Sequence, residues 1–222
     1  MMGVLCFFVT LAGVLVAAGW AAVRAAGQAR DGEERWGQVI ARDEVKGDGA
    51  FRSARLVGFR GRRIPRVVWL AGVPGTALGV LSALVVAPAS ALLAMFTGFG
   101  SSRVMEPLLG VGLLTAGLSF ISGYFVFAAS TSLLRCERGA GERAERVGAT
   151  EALLHVFPIA IFSALAGPVS VAGVMAMVLW APGALHGLML WQAGRRVAAI
   201  QNAMSEDERD ALPEPLDPSQ SM

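Results

Sequence analysis

The chain has 222 residues, of which 55% are hydrophobic, and its 19 basic and 17 acidic residues nearly cancel to a formal net charge of +2. These charges are confined to a few stretches: no Asp, Glu, Lys or Arg occurs in residues 1–23, 67–102, 107–134 and 152–194. A helix crosses a bilayer core with about 20 apolar residues, and every one of these runs is long enough. This distribution excludes a soluble single-domain protein and predicts an all-α integral membrane protein.

The first run, residues 1–23, is predicted to be a transmembrane anchor helix that is retained in the mature chain. A secretory signal peptide carries positive residues ahead of a short apolar stretch, whereas the first basic residue here is Arg24. Small residues at 21–23 are compatible with a cleavage site, which leaves a cleaved signal as the alternative.

The second run predicts one span from Val67 to about Ala87, where Pro88 interrupts the pattern. Proline lacks a backbone N–H and disturbs a helix interior. Beyond Pro88 the chain is expected to continue to Gly100, either as a kinked extension or as a re-entrant half-helix.

The last two runs complete the count of spans. Residues 107–134 predict one helix, and residues 152–194 are long enough for two. Gly167 and Pro168, in "LAGPVS", are turn formers and predict the break between those two. Together the runs predict about five transmembrane helices.

The positive-inside rule predicts the orientation, because short cytoplasmic loops carry an excess of Lys and Arg. With the N-terminus outside, residues 24–66, 135–151 and 195–222 lie inside and hold all of these side chains except Arg103. The C-terminus is then cytoplasmic. Three tryptophans lie close to an arginine at the predicted inner boundaries, where indole rings favour the headgroup region: Trp20, Trp69 and Trp191.

These boundaries divide the chain into four parts. Residues 1–23 form the anchor and 24–66 a basic cytoplasmic loop, 67–194 form a four-helix transmembrane core, and 195–222 form a cytoplasmic tail that is acidic and disordered at its end. Within the loop, "RDGEERWGQVIAR" has Trp36, Val39 and Ile40 at helical spacing and predicts a short surface helix. The preference for arginine over lysine suggests a bacterial gene, and hence the bacterial cytoplasmic (inner) membrane.

A basic cluster precedes the second span. Residues 49–66 contain no acid and carry a charge of +6, which favours contact with anionic lipid headgroups near the membrane surface. The alternative is that the cluster serves only as a topology signal. Its members are Arg52, Arg55, Arg60, Arg62, Arg63 and Arg66.

Small residues at every fourth position predict how the second span packs. Such a ridge lets helix backbones approach closely in lipid, and here it consists of Gly75, Gly79, Ala83, Ala87 and Ala91. Gly183 and Gly187 repeat the spacing, although chance explains this pair equally well. Residues 74–100 also show a weak similarity to 168–194, of the kind that an inverted transporter repeat would leave.

Candidate polar groups within the spans are few. Ionisable residues inside a membrane usually mark a functional path, and no Asp, Glu, Lys or Arg is expected deep in any span. His155 is predicted at the inner interface, either solvated or hydrogen-bonded. His186 is predicted near mid-depth, where it either bonds a carbonyl freed by Pro182 or lines a polar path together with Ser122.

The motifs of common enzymes are absent or incomplete. "FISGYF" and "ALHG" are loosely similar to the serine and histidine segments of rhomboid proteases, but Phe120 stands where that G-x-S-G motif has its first glycine. The two cysteines and two histidines lack metal-ligand spacing, and there is no phosphate-binding loop. No catalytic, cofactor or metal residue is therefore assigned, and no nucleic-acid partner is expected.

The favoured function at this stage is a non-enzymatic accessory or scaffold subunit, with membrane lipids and other membrane protein subunits as partners. The alternative is a component of a small-solute transporter or channel, which the prolines and His186 support. An intramembrane hydrolase is a distant third. A water-accessible cavity around His186 would favour the transporter.

Overall fold

The structure is a computed structural model that describes residues 2–46, 56–57, 64–98, 105–204 and 212. It is all-helical apart from two short strands, of which β1 pairs antiparallel with β2 and Leu56 lies opposite Pro65. In chain order the elements are α1 (Met2–Lys46), β1 (Leu56–Val57), β2 (Ile64–Pro65), α2 (Arg66–Leu81), a π-helical turn (Ser82–Val86), α3 (Ala87–Gly98), α4 (Met105–Leu134), α5 (Ala140–Ala166) and α6 (Val171–Ala203).

Within the described residues, four helical stretches are long and apolar enough to cross a membrane, which supports a multi-pass membrane protein. They coincide with the spans predicted from Val67 onward, at 107–134 and on either side of the break near Gly167. At 1.5 Å per residue α6 is about 50 Å long, so it extends well beyond a hydrocarbon core of about 30 Å. The four stretches are Arg66–Met95, Pro107–Leu134, Ala140–Ala166 and Val171–Ala203.

Helix α1 differs from the predicted anchor followed by a loop. It is one continuous helix of 45 residues, and the segment predicted as a separate surface helix is its C-terminal part. Trp36 is 0% exposed and Val39 is also buried, so the apolar face of this segment packs against the rest of the chain. The indole Nε1 of Trp36 donates to the backbone oxygen of Leu134 at 3.2 Å, and Arg35 donates to that of Arg135 at 3.1 Å. These bonds satisfy carbonyls at the end of α4 that have no partner within their own helix.

The second span continues past Pro88 as a helix, so the structure contains an extension of the span. The irregularity lies in the π-helical turn just before the proline, where the N–H of Ala87 bonds the oxygen of Ser82, five residues back. Such turns are one of the recognised causes of a kink. Helix α3 is described as far as Gly98, and the predicted end at Gly100 lies outside the described residues.

Helix α5 begins earlier than predicted. The predicted cytoplasmic segment 135–151 contains only a short connection, because α5 starts at Ala140. The charged residues of this segment lie on a helix, where Arg146 pairs with Glu142 at 3.4 Å in i,i+4 spacing. The charged stretch thus belongs to the same helix as the apolar run that follows it, and is not a loop.

Helices α5 and α6 form a hairpin with backbone contact. A Cβ atom placed on Gly148 would lie 2.7 Å from the oxygen of Gly187, and one placed on Gly187 would lie 2.8 Å from the oxygen of Gly148. Gly187 of the predicted pair is therefore at an interface. At the open end of the hairpin, Gln201 accepts from the N–H of Gly141 at 3.2 Å and donates to the oxygen of Glu137 at 2.8 Å.

The weak similarity between residues 74–100 and 168–194 does not correspond to matching structural units. Pro74 lies inside α2, whereas its counterpart Pro168 lies in the turn before α6. Pro88 follows a π-helical turn, whereas Pro182 lies within the uninterrupted α-helix α6.

Candidate functional site

A cavity of about 530 Å³ lies between the α2–α3 stretch on one side and helices α5 and α6 on the other. Its volume falls in the range of about 300–1,000 Å³ that is common for small-molecule sites. Most of the lining is aliphatic, as with Leu78, Val85 and Leu179. Four polar residues interrupt this lining: Ser82, Glu151, His155 and His186.

Glu151 is the acidic residue of this cavity, and sequence analysis missed it. It was assigned to the end of a cytoplasmic loop, but α5 starts at Ala140 and so Glu151 lies about three turns into the helix. Its exposed fraction is 4%. Carboxylate oxygen Oε1 lies 3.4 Å from Nδ1 of His155, while Oε2 has no hydrogen-bond partner among the described residues.

His155 is buried and not at a solvated interface, contrary to one of the two predicted alternatives. Only 1% of it is exposed, and its Nδ1 lies 2.9 Å from the backbone oxygen of Glu151, one helical turn earlier. The ring lies against Gly183 of α6, where an added Cβ atom would come within 2.8 Å of ring atoms Cδ2 and Nε2. The predicted hydrogen-bonded state is therefore the one observed, in a buried position.

His186 joins α6 to α2 across the cavity. Its Nε2 lies 3.0 Å from the backbone oxygen of Ala71, so the carbonyl it bonds is not one freed by Pro182 in its own helix. The first alternative is therefore wrong in its partner. His186 also lines the cavity, and the polar path stays a prediction. Gly75 of the predicted ridge makes room for it, since an added Cβ atom there would lie 2.7 Å from Nε2.

These hydrogen bonds determine where the ring hydrogens lie. A carbonyl oxygen only accepts, so Nδ1 of His155 and Nε2 of His186 must each carry a hydrogen. In the neutral ring the other nitrogen then has a lone pair and no hydrogen. Ser82 follows the same pattern, because its hydroxyl donates to the backbone oxygen of Ser119 at 3.1 Å.

Ser122, the second predicted member of the polar path, lies on α4 on the other side of Glu151. Its hydroxyl donates to the backbone oxygen of Ser119 at 3.3 Å. It lines a smaller cavity of about 180 Å³ that also includes Arg146 and Glu151. Ser122 and His186 therefore line different cavities, and both cavities border Glu151. The serine–histidine contact that a hydrolase would need is not present between these two residues.

The predicted packing ridge faces α4 at its glycines. A Cβ atom on Gly79 would lie 2.6 Å from the oxygen of Gly123, and one on Gly123 would lie 3.1 Å from the nitrogen of Ala83. Ala87 is buried and Ala91 is half-buried. The close approach of α2 and α4 is thus made by Gly79 and Gly123, and Gly75 contacts Ser130 and the His186 ring.

The predicted lipid-contact cluster lies almost wholly outside the described residues. Of its six arginines only Arg66 is described, as the exposed first residue of α2. The other five, which lie outside, are Arg52, Arg55, Arg60, Arg62 and Arg63.

Within the described part of the chain, no three His, Cys, Asp or Glu side chains come together in a group that could hold a metal ion. The comparisons with protein-family models, curated proteins and solved structures found no match for this chain. The cavity beside Glu151 is therefore interpreted from its own chemistry.

Proposed function

We propose that this protein is a component of a small-solute transporter or channel in a bacterial cytoplasmic membrane, and that the cavity beside Glu151 binds the solute. The observation that carries the proposal is the combination of a buried carboxyl group, two buried imidazoles and an aliphatic cavity of about 530 Å³. Ionisable side chains are rare in membrane interiors and usually mark solute or ion paths.

The depth of these groups supports a site within the membrane. The α5–α6 turn follows Ala166, and about 20 residues on either side of it are enough to cross a hydrocarbon core. Counted from that turn, Glu151, His155 and His186 all fall inside the core, in the half farther from the turn. A solute that reaches the cavity would then have entered the bilayer.

The accessory or scaffold role expected from the sequence rested mainly on the absence of charge from the spans. The buried position of Glu151 removes that argument. One of its carboxyl oxygens has no hydrogen-bond partner among the described residues, and burying an unpaired polar group costs free energy that a purely structural role does not explain. The serine and histidine considered for a hydrolase, Ser122 and His186, line different cavities.

The proposal includes five spans with the N-terminus outside. The first part of α1, from the uncharged residues 1–23, would be the fifth span, and α1 would then continue into the cytoplasm as far as Lys46. The basic residues 49–66 would lie on the same side, next to anionic headgroups, which attract such a cluster by about 1 kcal/mol per residue near the surface.

Water access to the cavity tests the proposal with two neighbouring residues. Val85 lines the cavity, whereas Leu84 is exposed on the outside of the helix bundle and does not line it. A polar, water-soluble maleimide should label Val85→Cys in native membranes and leave Leu84→Cys unlabelled, because a thiol ionises and reacts only where water reaches it. Equal labelling of the two positions, or no labelling at Val85, would contradict a solute cavity.

The native cysteines interfere little with this experiment. Burial raises the pKa of the Cys136 thiol to about 12, and the nearby Arg35 offsets this only in part. Almost no reactive thiolate forms there at neutral pH. Replacement of Cys6 by serine should therefore be a sufficient background, and that parent chain is the blank.

A further inference from the structure

The polar side chains around the cavity donate their hydrogens to the protein backbone. His155 donates from Nδ1 to the oxygen of Glu151, His186 from Nε2 to the oxygen of Ala71, and Ser82 from its hydroxyl to the oxygen of Ser119. The remaining polar atoms are Nε2 of His155, Nδ1 of His186 and the hydroxyl oxygen of Ser82. While the imidazoles are neutral, these atoms can only accept hydrogen bonds.

Further acceptors lie on the same wall. Glu151 lines the cavity and is 4% exposed, and its Oε2, which is itself buried, has no hydrogen-bond partner in the described part of the chain. Pro182 has no backbone N–H, so the oxygen of Val178 lacks its usual donor four residues later in α6. Val178 and Pro182 both line the cavity. The wall is therefore rich in acceptors and poor in donors.

The cavity wall is also unbalanced in its charged side chains. Among the described lining residues there is no Lys or Arg, and Glu151 is the single acidic side chain. His155 offers only partial compensation, because its Nδ1 lies closer to the backbone oxygen of Glu151, at 2.9 Å, than to carboxylate oxygen Oε1, at 3.4 Å. A buried carboxylate needs a cationic or hydrogen-donating partner.

From these features we infer that the cavity binds an organic cation: a mostly apolar molecule with a protonated amine that pairs with the carboxyl group of Glu151. An ammonium group brings several N–H donors and one positive charge, which match the acceptors and the carboxylate, and the aliphatic lining takes the rest of the molecule. A bare metal ion fits less well, since no three His, Cys, Asp or Glu side chains of the described residues come together in a group that could hold one. The inference rests on the proposed function and names the class of solute.

Binding of three matched compounds to the full-length protein tests the inference. The protein would be reconstituted in phosphatidylcholine nanodiscs, whose headgroups carry no N–H, and empty nanodiscs would correct for partitioning. The probes are 4-phenylbutylamine, 4-phenylbutanol and 4-phenylbutyrate at neutral pH. The amine should bind about tenfold or more tightly than the alcohol, because hydrogen bonds to charged groups are stronger than neutral ones, and the carboxylate should bind most weakly.

Two variants on one helix assign the preference to Glu151. Glu151→Gln should remove the preference for the amine and keep the binding of the alcohol. Glu145→Gln is the matched control, since Glu145 lies on α5 outside the cavity and pairs with Arg195 at 3.8 Å, and it should keep the full preference. Persistence of the amine preference in Glu151→Gln would overturn the assignment to this residue.

The comparison of ligands in the wild-type protein stands even if a variant fails to fold. Equal affinity for the amine and the alcohol would overturn the inference of a cation and leave a neutral solute cavity. No saturable binding of any probe would also overturn it, while the labelling of Val85→Cys judges the proposed function separately.

Ammonium groups also occur on lipid headgroups, so a final arm separates the two sources. Phosphatidylethanolamine would be added to the nanodiscs. Competition with 4-phenylbutylamine would assign the ammonium site to a lipid headgroup, and undiminished amine binding would assign it to a free lipophilic amine.

Discussion

Gly183 of α6 lies directly against the imidazole of His155 on α5, so close that a Cβ atom at residue 183 would lie 2.8 Å from ring atoms Cδ2 and Nε2. The ring has little freedom to move away, because its Nδ1 bonds the oxygen of Glu151 on the opposite edge. Glycine at residue 183 therefore leaves the space that the ring needs beside Glu151.

We expect Gly183→Ala to displace the ring and to destabilise the protein by about 1–3 kcal/mol, the usual cost of adding a methyl group to a packed site. Gly117→Ala is the control, because an added Cβ atom at Gly117 meets no other atom within 4 Å. Thermal unfolding of both variants in the same detergent measures the difference. Equal midpoints would mean that the ring can move aside at no cost.

The approach of α2 to α4 makes a second prediction. Gly79 and Gly123 face each other's backbone, with an added Cβ atom on Gly79 only 2.6 Å from the oxygen of Gly123. Gly79→Leu and Gly123→Leu should each force the helices apart, and the double variant should cost less than the sum because the first side chain has already separated them. Gly117→Leu, on the open side of α4, should unfold near the wild-type temperature. Additive losses in thermal stability would contradict a shared contact.

The spans could be predicted from the sequence because lipid imposes a length and a composition on each of them. The start of α5 could not be predicted in the same way. Its first turns are charged because they extend beyond the membrane, and the length of an uncharged run says nothing about such an extension. The small residues at every fourth position, Ala140, Ala144, Gly148 and Ala152, are the one sequence signal that this charged segment belongs to a packed helix.

Only some of the site residues could be predicted from the sequence, because the uncharged runs were again the main signal. His186 and Ser122 stood out as polar residues within apolar runs. Glu151 did not, because it is the residue immediately before the run that starts at 152 and so marked a boundary. The bond from His186 to the oxygen of Ala71 joins residues 115 positions apart, and no local pattern reports a contact between helices of that kind. The packing of α1 onto α4 was missed for the same reason.

That packing makes a third prediction. Trp36 is fully buried, and its Nε1 donates to the oxygen of Leu134 at 3.2 Å. Trp36→Phe keeps most of the ring but leaves this buried carbonyl without the donor, so we expect a loss of about 1–3 kcal/mol. Trp36→Ala also leaves a cavity and should cost about 3–5 kcal/mol. Trp20→Phe is the control, because Trp20 is largely exposed on the same helix.

Chemical unfolding in mixed micelles would rank these three variants, and limited proteolysis after Arg42 and Lys46 would report whether the end of α1 has detached. The expected order of stability is Trp20→Phe, then Trp36→Phe, then Trp36→Ala. An unaffected Trp36→Ala variant would mean that the C-terminal part of α1 contributes little to the stability of the bundle.

The last prediction concerns orientation, for which the two ends of α6 are suitable probes. Val169, in the turn between α5 and α6, is 92% exposed, and Asn202 is exposed near the other end of α6. If basic residues mark the cytoplasmic side, Val169 lies outside and Asn202 inside, next to Arg195 and Arg196. In the Cys6→Ser background an impermeant maleimide should label Val169→Cys in right-side-out vesicles and Asn202→Cys in inside-out vesicles. The reverse pattern would invert the molecule, and labelling of both positions from one side would mean that α6 does not cross the membrane.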